Sequence, residues 1–221
     1  MFSLIGPKRY DAPWKDIEAQ GYIAPADCVE VRVDLPRDER VAYAMADDAD
    51  KYRLCSTSET KSAVVEKLVA AHRGEQLLVI GQYIDQLDDL ARRLEAPVIK
   101  GETSVKERQR LFDAFRAGEL QVLVVSKVAN FSIDLPGAAV AIQVSGSFGS
   151  RQEEAQRLGR LLRPKADGRA ARFYTVIARD TLDQEYAARR QRFLAEQGYA
   201  YRVLDAAGID AAGIGDARPS D

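Results

Sequence analysis

One histidine and two cysteines are all that 221 residues offer toward the commonest nitrogen and sulfur ligands. Cys28 and Cys55 lack the CxxC spacing of a zinc site, and one pair could close at most one disulfide. Thiols used this sparingly suit a reducing compartment, so a cytoplasmic location is expected, and the Arg-, Ala- and Asp-rich composition suggests a bacterial or archaeal source. The lone His72 stands in Ala71-His72-Arg73-Gly74, at an expected helix end where a solvated position is the plain reading. Triads built on histidine therefore have little to start from. Long apolar runs are also missing. Met1-Phe2-Ser3-Leu4-Ile5 is far short of the roughly 20 residues of a membrane helix and of a signal-peptide core, so no membrane partner is expected. A dominant charge is absent too: 32 Lys and Arg stand against 34 Asp and Glu, for a net −2. No overall field advertises a polyanion or a basic partner, and any phosphate-binding site must be local.

What is present is an ordinary globular composition, 46% hydrophobic and 30% charged, which excludes whole-chain disorder, collagen-like repeats and disulfide scaffolds. The length allows one or two domains. Charge is uneven along the chain: residues 150–202 hold twelve Arg and Lys against seven Asp and Glu, a local excess of +5 that leaves −7 elsewhere.

After residue 59 strand-like and helix-like segments alternate, the pattern of a parallel sheet covered by helices. A helix over 59–73 places Val64, Val65, Leu68 and Val69 on one stripe after a possible capping box Ser56-x-x-Glu59. Strand Leu77–Ile80, helix 83–95, strand Pro97–Ile99 and helix 104–117 follow, the last behind a second box, Ser104-x-x-Glu107. Val122–Val125 and Ala138–Ile142 are unbroken apolar runs, as central parallel strands require. A Ser/Gly loop at 145–149 leads to a third box, Ser150-x-x-Glu153, and a helix that should stop before Pro164. Strand Arg172–Ile177 and a helix near 182–197 close the unit. Residues 1–58, with one strand at Val29–Val33 and a helix near 38–49, read as a lead-in packing on a lobe of 59–205. Residues 206–221 read as a disordered tail.

The most informative segment is Gln156-Arg157-Leu158-Gly159-Arg160-Leu161-Leu162-Arg163-Pro164. On a helix Arg160 and Arg163 share a face, with Gln156 one turn earlier. Guanidinium forks bind phosphate oxygens in pairs and stay charged at every accessible pH. Gly159 between them costs a helix about 1 kcal/mol relative to alanine, a sign of close approach by a ligand or another backbone. From charge alone, a solvated arginine-rich face would be the commoner reading. Arg189-Arg190-x-Arg192 is read in that plainer way.

Gln156-Arg157-x-Gly159-Arg160-x-x-Arg163 resembles motif VI of superfamily 2 helicases, and Glu154–Arg160 resembles the XPB-type DNA helicases closely. Leu4-Ile5-Gly6-Pro7-Lys8 and Gly21-Tyr22-Ile23-Ala24 look like that family's stretch between two motor lobes. Ser126-Lys127-Val128 with Ser132-Ile133-Asp134-Leu135-Pro136 resembles its motif V, and Gln191–Leu194 with Gln197–Tyr199 its closing helix. The resemblance covers roughly residues 4–205 and is specific through the combination.

It implies the second RecA-like lobe of a two-lobe DNA motor: an α/β, three-layer domain with a central, mainly parallel sheet. In such motors this lobe reaches arginines across a cleft to ATP. The implied roles are Arg163 as finger, Arg160 as γ-phosphate ligand, Gln156 at the nucleotide or its attacking water, and Asp134 near the ribose or coupling the sites. Gln82, Gly101, Thr103, Ser126 and Lys127 are the implied contacts to the DNA backbone, which read no base sequence. Turn-shaping or solvation would explain Asp134, Lys127 and Thr103 as well, and Gln82 has the weakest case. The implied partners are DNA, the N-terminal lobe, and repair nucleases or transcription proteins; 3′ to 5′ polarity is implied in the same way.

Two departures stand out. Ala129-Asn130 replaces the Gly-Asp common in the family's motif V, removing a charge. No GxxxxGK[ST] phosphate loop occurs anywhere, and Gly6-Pro7-Lys8 lacks the glycine run and hydroxyl of one. ATP and Mg²⁺ are thus expected to be gripped mainly by the other lobe, no metal site is expected here, and the chain alone should be inactive. Asp38-Glu39-Arg40-Val41 mimics the acidic magnesium box but follows Pro36-Arg37 at a helix start, so it reads as a decoy. The competing reading is a non-catalytic α/β module that binds DNA or protein through residues 150–202. A Rossmann-type metabolic enzyme is weaker still, since GxGxxG is absent.

Overall fold

The computed structural model describes residues 26–126, 138–146, 171–196, 201–210 and 213–214. In chain order these form β1 (Ala26–Val33), α1 (Arg37–Met45), α2 (Asp48–Ser56), α3 (Glu59–Ala71), β2 (Leu77–Gly81), α4 (Ile84–Arg93) and β3 (Val98–Ile99). There follow α5 (Val105–Arg116), β4 (Val122–Ser126), β5 (Val140–Gln143), β6 (Ala171–Ala178), α6 (Leu182–Glu196) and β7 (Tyr201–Asp205). A 3₁₀ turn, Ala206–Gly208, leads to the short pair β8 (Ile209–Asp210) and β9 (Gly213–Ile214).

Seven strands make one sheet in the order β3-β4-β2-β5-β6-β1-β7, and each neighbouring pair is parallel. The apolar runs are the reason: Leu77–Ile80 and Leu123–Val125 are buried on both faces, which only helices on both sides can achieve. One face packs on α2, α3 and α4 through Tyr52, Val64, Val65, Leu68, Leu87 and Leu90. The other packs on α5 through Leu111, Phe112 and Phe115, with Leu194 near the end of α6. Leu68, Leu87 and Leu90 have no exposure at all, each contributing about 1.5–3 kcal/mol relative to an exposed position.

Local chemistry sets the helix starts. Ser104 Oγ accepts from Glu107 N at 3.2 Å, so the second expected box works from its serine side. At α3 the cap is Ser58, which accepts from Thr60 N; Ser56 instead ends α2. The helix expected near 38–49 is two helices, because Asp47 leaves helical geometry and accepts from Ala49 N and Asp50 N to start α2. Asp38-Glu39 lies in the first turn of α1 after Pro36, as the decoy reading requires.

Three expectations change. The lead-in is not merely laid against the lobe: β1 is an interior strand, paired from Ala26↔Ala171 to Val33↔Ala178 with β6 and along Cys28–Arg32 with β7. Its alternating Val29, Val31 and Val33 fill the core, which a reading started at residue 59 could not assign. Part of the expected tail is folded, since Ile209 is 2% exposed and packs into the same core. His72 does end α3, yet it is buried: its Nε2 meets Tyr174 Oη at 2.9 Å and its Nδ1 meets Glu75 Oε1 at 2.8 Å. A partner a hundred residues away in sequence gives no local signal.

Candidate nucleotide and nucleic-acid site

In an open parallel sheet, ligands gather beyond the carboxyl ends of the strands. The four described candidate residues all lie there. Gln82 directly follows β2, Ser126 closes β4 opposite Gly81, and Gly101 and Thr103 lie on the turn after β3. Since β4 sits between β2 and β3, neighbouring positions along this edge are roughly 5 Å apart. Lys127 and Asp134 continue from the end of β4, and Gln156, Arg160 and Arg163 from beyond β5; these five, with the Ser150-x-x-Glu153 box and its helix, lie outside the described residues. So do Leu4–Lys8, Gly21–Ala24 and Gln197–Tyr199.

The turn after β3 is held by its own side chains. Thr103 Oγ1 accepts from Lys100 N at 2.9 Å, and Thr103 N donates back to Lys100 O at 3.2 Å. The Arg108 guanidinium, from the first turns of α5, reaches the carbonyls of Thr103 and Lys100 at 3.3 and 3.4 Å. Lys100 Nζ lies 3.1 Å from Asp88 and 3.3 Å from Glu102, and these hydrogen-bonded carboxylates push its pKa above the usual lysine value. The result is a fixed turn with Gly101 exposed at its tip and the α5 amides behind it, a geometry open to an anion. Thr103 thus has a structural task as well. Ser126 is 2% exposed, enclosed at the end of β4 where a contact to the DNA backbone was expected.

A second group of side chains, which the sequence did not single out, gathers below the end of β5. Lys61 and Asp183, with 0% and 1% of their side chains exposed, form an ion pair at 2.5 Å. Lys61 Nζ also donates to Val144 O at 3.0 Å, and Asp183 Oδ2 accepts from Ala178 N at 3.1 Å. Tyr52 Oη donates to Gly146 O at 2.7 Å, its ring edge-on to Tyr186 with centroids 5.1 Å apart. Burial, reinforced by the Asp183 charge, pushes the Tyr52 phenol well above its ordinary pKa and keeps it a donor. Gln82 N donates to Ser145 Oγ at 2.7 Å, tying the end of β2 to the same stretch. Both sides of this contact are tight: a Cβ on Gly81 would meet Leu87 Cδ2 at 2.8 Å, and one on Gly146 would meet the Arg190 guanidinium at 2.9 Å, so either side chain would have to shift. Arg190 is thereby a correction, being 2% exposed where a solvated face was expected, while Arg189 and Arg192 are exposed.

The missed residues did leave a trace. Lys61 occupies the stripe Lys61, Val64, Val65, Leu68, and Asp183 and Arg190 share the stripe Asp183, Ala187, Arg190, Leu194. Charges at core positions of an amphipathic helix are buried partners in search of each other.

Comparison with known proteins fits this geometry. The model of the ERCC3/RAD25/XPB C-terminal helicase family matches residues 17–212. A protein of Kineococcus radiotolerans named DNA 3′-5′ helicase XPB is 80% identical over 217 residues, 98% of this chain and 39% of its own length. One of the same name from Mycobacterium tuberculosis is 70% identical over 93% of this chain and 38% of its own length. A Drosophila melanogaster protein, named as the general transcription and DNA repair factor IIH helicase/translocase subunit XPB, is 38% identical over 91% of this chain and 26% of its own length. Among solved structures, the Escherichia coli DEAD-box protein SrmB, crystallised with a regulator of ribonuclease activity, has a TM-score of 0.61 at 16% identity, over 89% of this chain and 98% of that one. That likeness establishes the fold as the RecA-like α/β lobe. The chain thus spans under two fifths of the length of these curated relatives, and it belongs to the ERCC3/RAD25/XPB C-terminal helicase family.

Proposed function

We propose that this chain is the C-terminal motor lobe of an ATP-dependent 3′ to 5′ DNA helicase or translocase. One observation carries the reading: identity of 80% and 70% to proteins named DNA 3′-5′ helicase XPB runs over nearly the whole chain. The site geometry supports it, because the backbone-contact candidates Gln82, after β2, and Gly101 and Thr103, after β3, lie along one carboxyl edge of the sheet with β4 between them. Residues 59–205 form the working lobe in this reading, with β1 built into its sheet. A cytoplasmic setting, and work in repair or transcription beside other proteins of those systems, complete it; the printed name of the Drosophila relative supports the latter.

The residues divide the nucleotide's needs unequally. No group of three His, Cys, Asp or Glu among the described residues could hold a metal ion, and the chain has no phosphate loop. The donors it does bring, Arg160 and Arg163 with Gln156 and Asp134, suit phosphate oxygens and a ribose hydroxyl. ATP and Mg²⁺ are therefore assigned chiefly to the N-terminal part. Hydrolysis of bound ATP supplies the driving free energy. Arg163 reaches across the cleft to developing charge, Arg160 holds the γ-phosphate, and the turn at Gly101–Thr103 with Gln82 and Lys127 grips the DNA backbone. Ser126, being buried, supports that grip from below.

The test is DNA-stimulated ATP hydrolysis by this chain alone and mixed with a separately made N-terminal part of the Kineococcus relative. Turnover only in the mixture is expected. Steady turnover by the chain alone, or salt-dependent DNA binding indifferent to the added part, would replace this reading with another.

A further inference from the structure

Three successive residues just beyond β5 are held from three separate elements, two by their carbonyls and the middle one by its side chain. Lys61 of α3 binds Val144 O, Tyr52 of α2 binds Gly146 O, and the first residue after β2, Gln82, binds Ser145 Oγ through its amide, at 3.0, 2.7 and 2.7 Å. A chain leaving a strand usually runs into a surface loop whose backbone is solvated. Here it is buried: Val144 is fully enclosed and Ser145 is 3% exposed. Asp183, from the first turn of α6, orients the Lys61 ammonium and is itself fixed by Ala178 N. Such a buried ion pair stabilises little beyond what well-packed apolar residues would, so its use here is one of position.

We propose that Lys61, Asp183 and Tyr52 are positioning residues for ATP turnover, a role that rests on the function proposed above. The segment that follows Gly146 carries Gln156, Arg160 and Arg163. An arginine that acts on the transition state must arrive in register, and a misplacement of about 1 Å costs on the order of 10²-fold. Fixing Val144–Gly146 sets the starting point of that segment. Neither Lys61 nor Asp183 touches the nucleotide; both act through the backbone they hold.

The experiment replaces the matching part of the Kineococcus relative with this chain and measures ATP kinetics, DNA affinity, melting temperature and deuterium uptake in the peptide spanning Gln143–Gly149. Lys61→Met is combined with Asp183→Asn so that neither member of the pair is left charged without the other and Ala178 N keeps its acceptor. Tyr52→Phe removes a single hydroxyl and serves as the second variant should the first not fold. The expected result is kcat lower by about tenfold in the double variant and about threefold in Tyr52→Phe, with ATP KM and DNA affinity within about twofold and faster uptake in that peptide. Folded variants with unchanged kcat overturn the proposal, and faster uptake at unchanged kcat reduces the cluster to a structural one. A wild-type chimera without DNA-stimulated turnover overturns the functional reading itself, and the two failures are thereby told apart.

Discussion

The two ends of the sheet carry buried polar clusters of similar chemistry and opposite use. Toward the amino ends, His72 is wedged between Glu75 and Tyr174, with the Arg172 guanidinium 3.4 Å from Glu75. Each partner there satisfies another side chain, so the cluster ends in itself. At the carboxyl ends, Lys61 and Tyr52 donate to the main-chain carbonyls of Val144 and Gly146, and Gln82 N donates to Ser145 Oγ between them, next to the candidate site. The amino-end cluster is partly open, with Glu75 and Arg172 29% and 47% exposed where Lys61 and Asp183 are enclosed. Its bonds stop on side chains, while those of Lys61 and Tyr52 reach a backbone that continues toward the proposed nucleotide residues. Holding the fold and placing a site are separate tasks, and in the function proposed above this sheet gives them to opposite edges.

The largest expected effect lies at the carboxyl end. Arg163→Ala in the two-lobe assembly is expected to lower turnover by about 10³-fold or more, the scale of arginine-finger losses, with DNA and ATP binding largely kept. Single-turnover kinetics beside equilibrium binding check it. A loss below about tenfold would take Arg163 out of the finger role and weaken the contrast between the edges.

Tyr174→Phe probes the amino end. Losing the Oη···His72 contact leaves a buried ring nitrogen without that partner and is expected to cost about 1–2 kcal/mol in denaturant unfolding at neutral pH. Burial pushes the Tyr174 pKa from 10.0 up to about 12, with the positive charges of Arg172 and Arg202 opposing. A raised folded pKa means stability that is complete below pH 10 and lost as pH climbs toward 12. The wild type therefore loses that contribution above pH 10 while Tyr174→Phe has none to lose, and the gap between them should narrow between pH 10 and about 12. ATP turnover of the assembly at neutral pH should stay within about twofold, since this edge ends in itself. A large turnover loss would erase the distinction drawn between the two ends.

Much of the sheet was legible because its signals are local. Unbroken runs such as Leu77–Ile80 and Val122–Val125 announce strands buried on both faces, and the stripe Leu87, Leu90 with the Ser104 cap announces helices. What stayed hidden depends on pairing across the chain. β1 is a sound strand in isolation, yet nothing local says that it lies between β6 and β7. Lys61 and Asp183 are 122 residues apart, and each alone looks like a misplaced surface charge. The same holds for the site: Gln82, Gly101 and Thr103 were readable by resemblance, but the buried position of Ser126 and the carbonyls held by Arg108 emerge only when β3, β4 and β2 lie side by side.

Thr103→Val is the smallest expected effect and separates two roles at one residue. Valine keeps the side-chain volume and removes the Oγ1 that accepts from Lys100 N at 2.9 Å. The lost bond is partly exposed, so stability should fall by no more than about 1 kcal/mol. If Thr103 only shapes the turn, Arg108 still holds the carbonyls of Lys100 and Thr103, and DNA affinity should change little at any salt. If its hydroxyl also donates to a DNA phosphate, affinity should fall about three- to tenfold, uniformly across sequences because the backbone carries no sequence information. The hydroxyl is neutral and releases no counterion, so the slope of log affinity against log salt should stay constant, whereas Lys127→Ala should flatten it by about one unit. Titrating both variants of the assembly over several salt concentrations therefore distinguishes a turn-shaping threonine from a phosphate contact, and a cationic contact from a neutral one, along the same edge of the sheet.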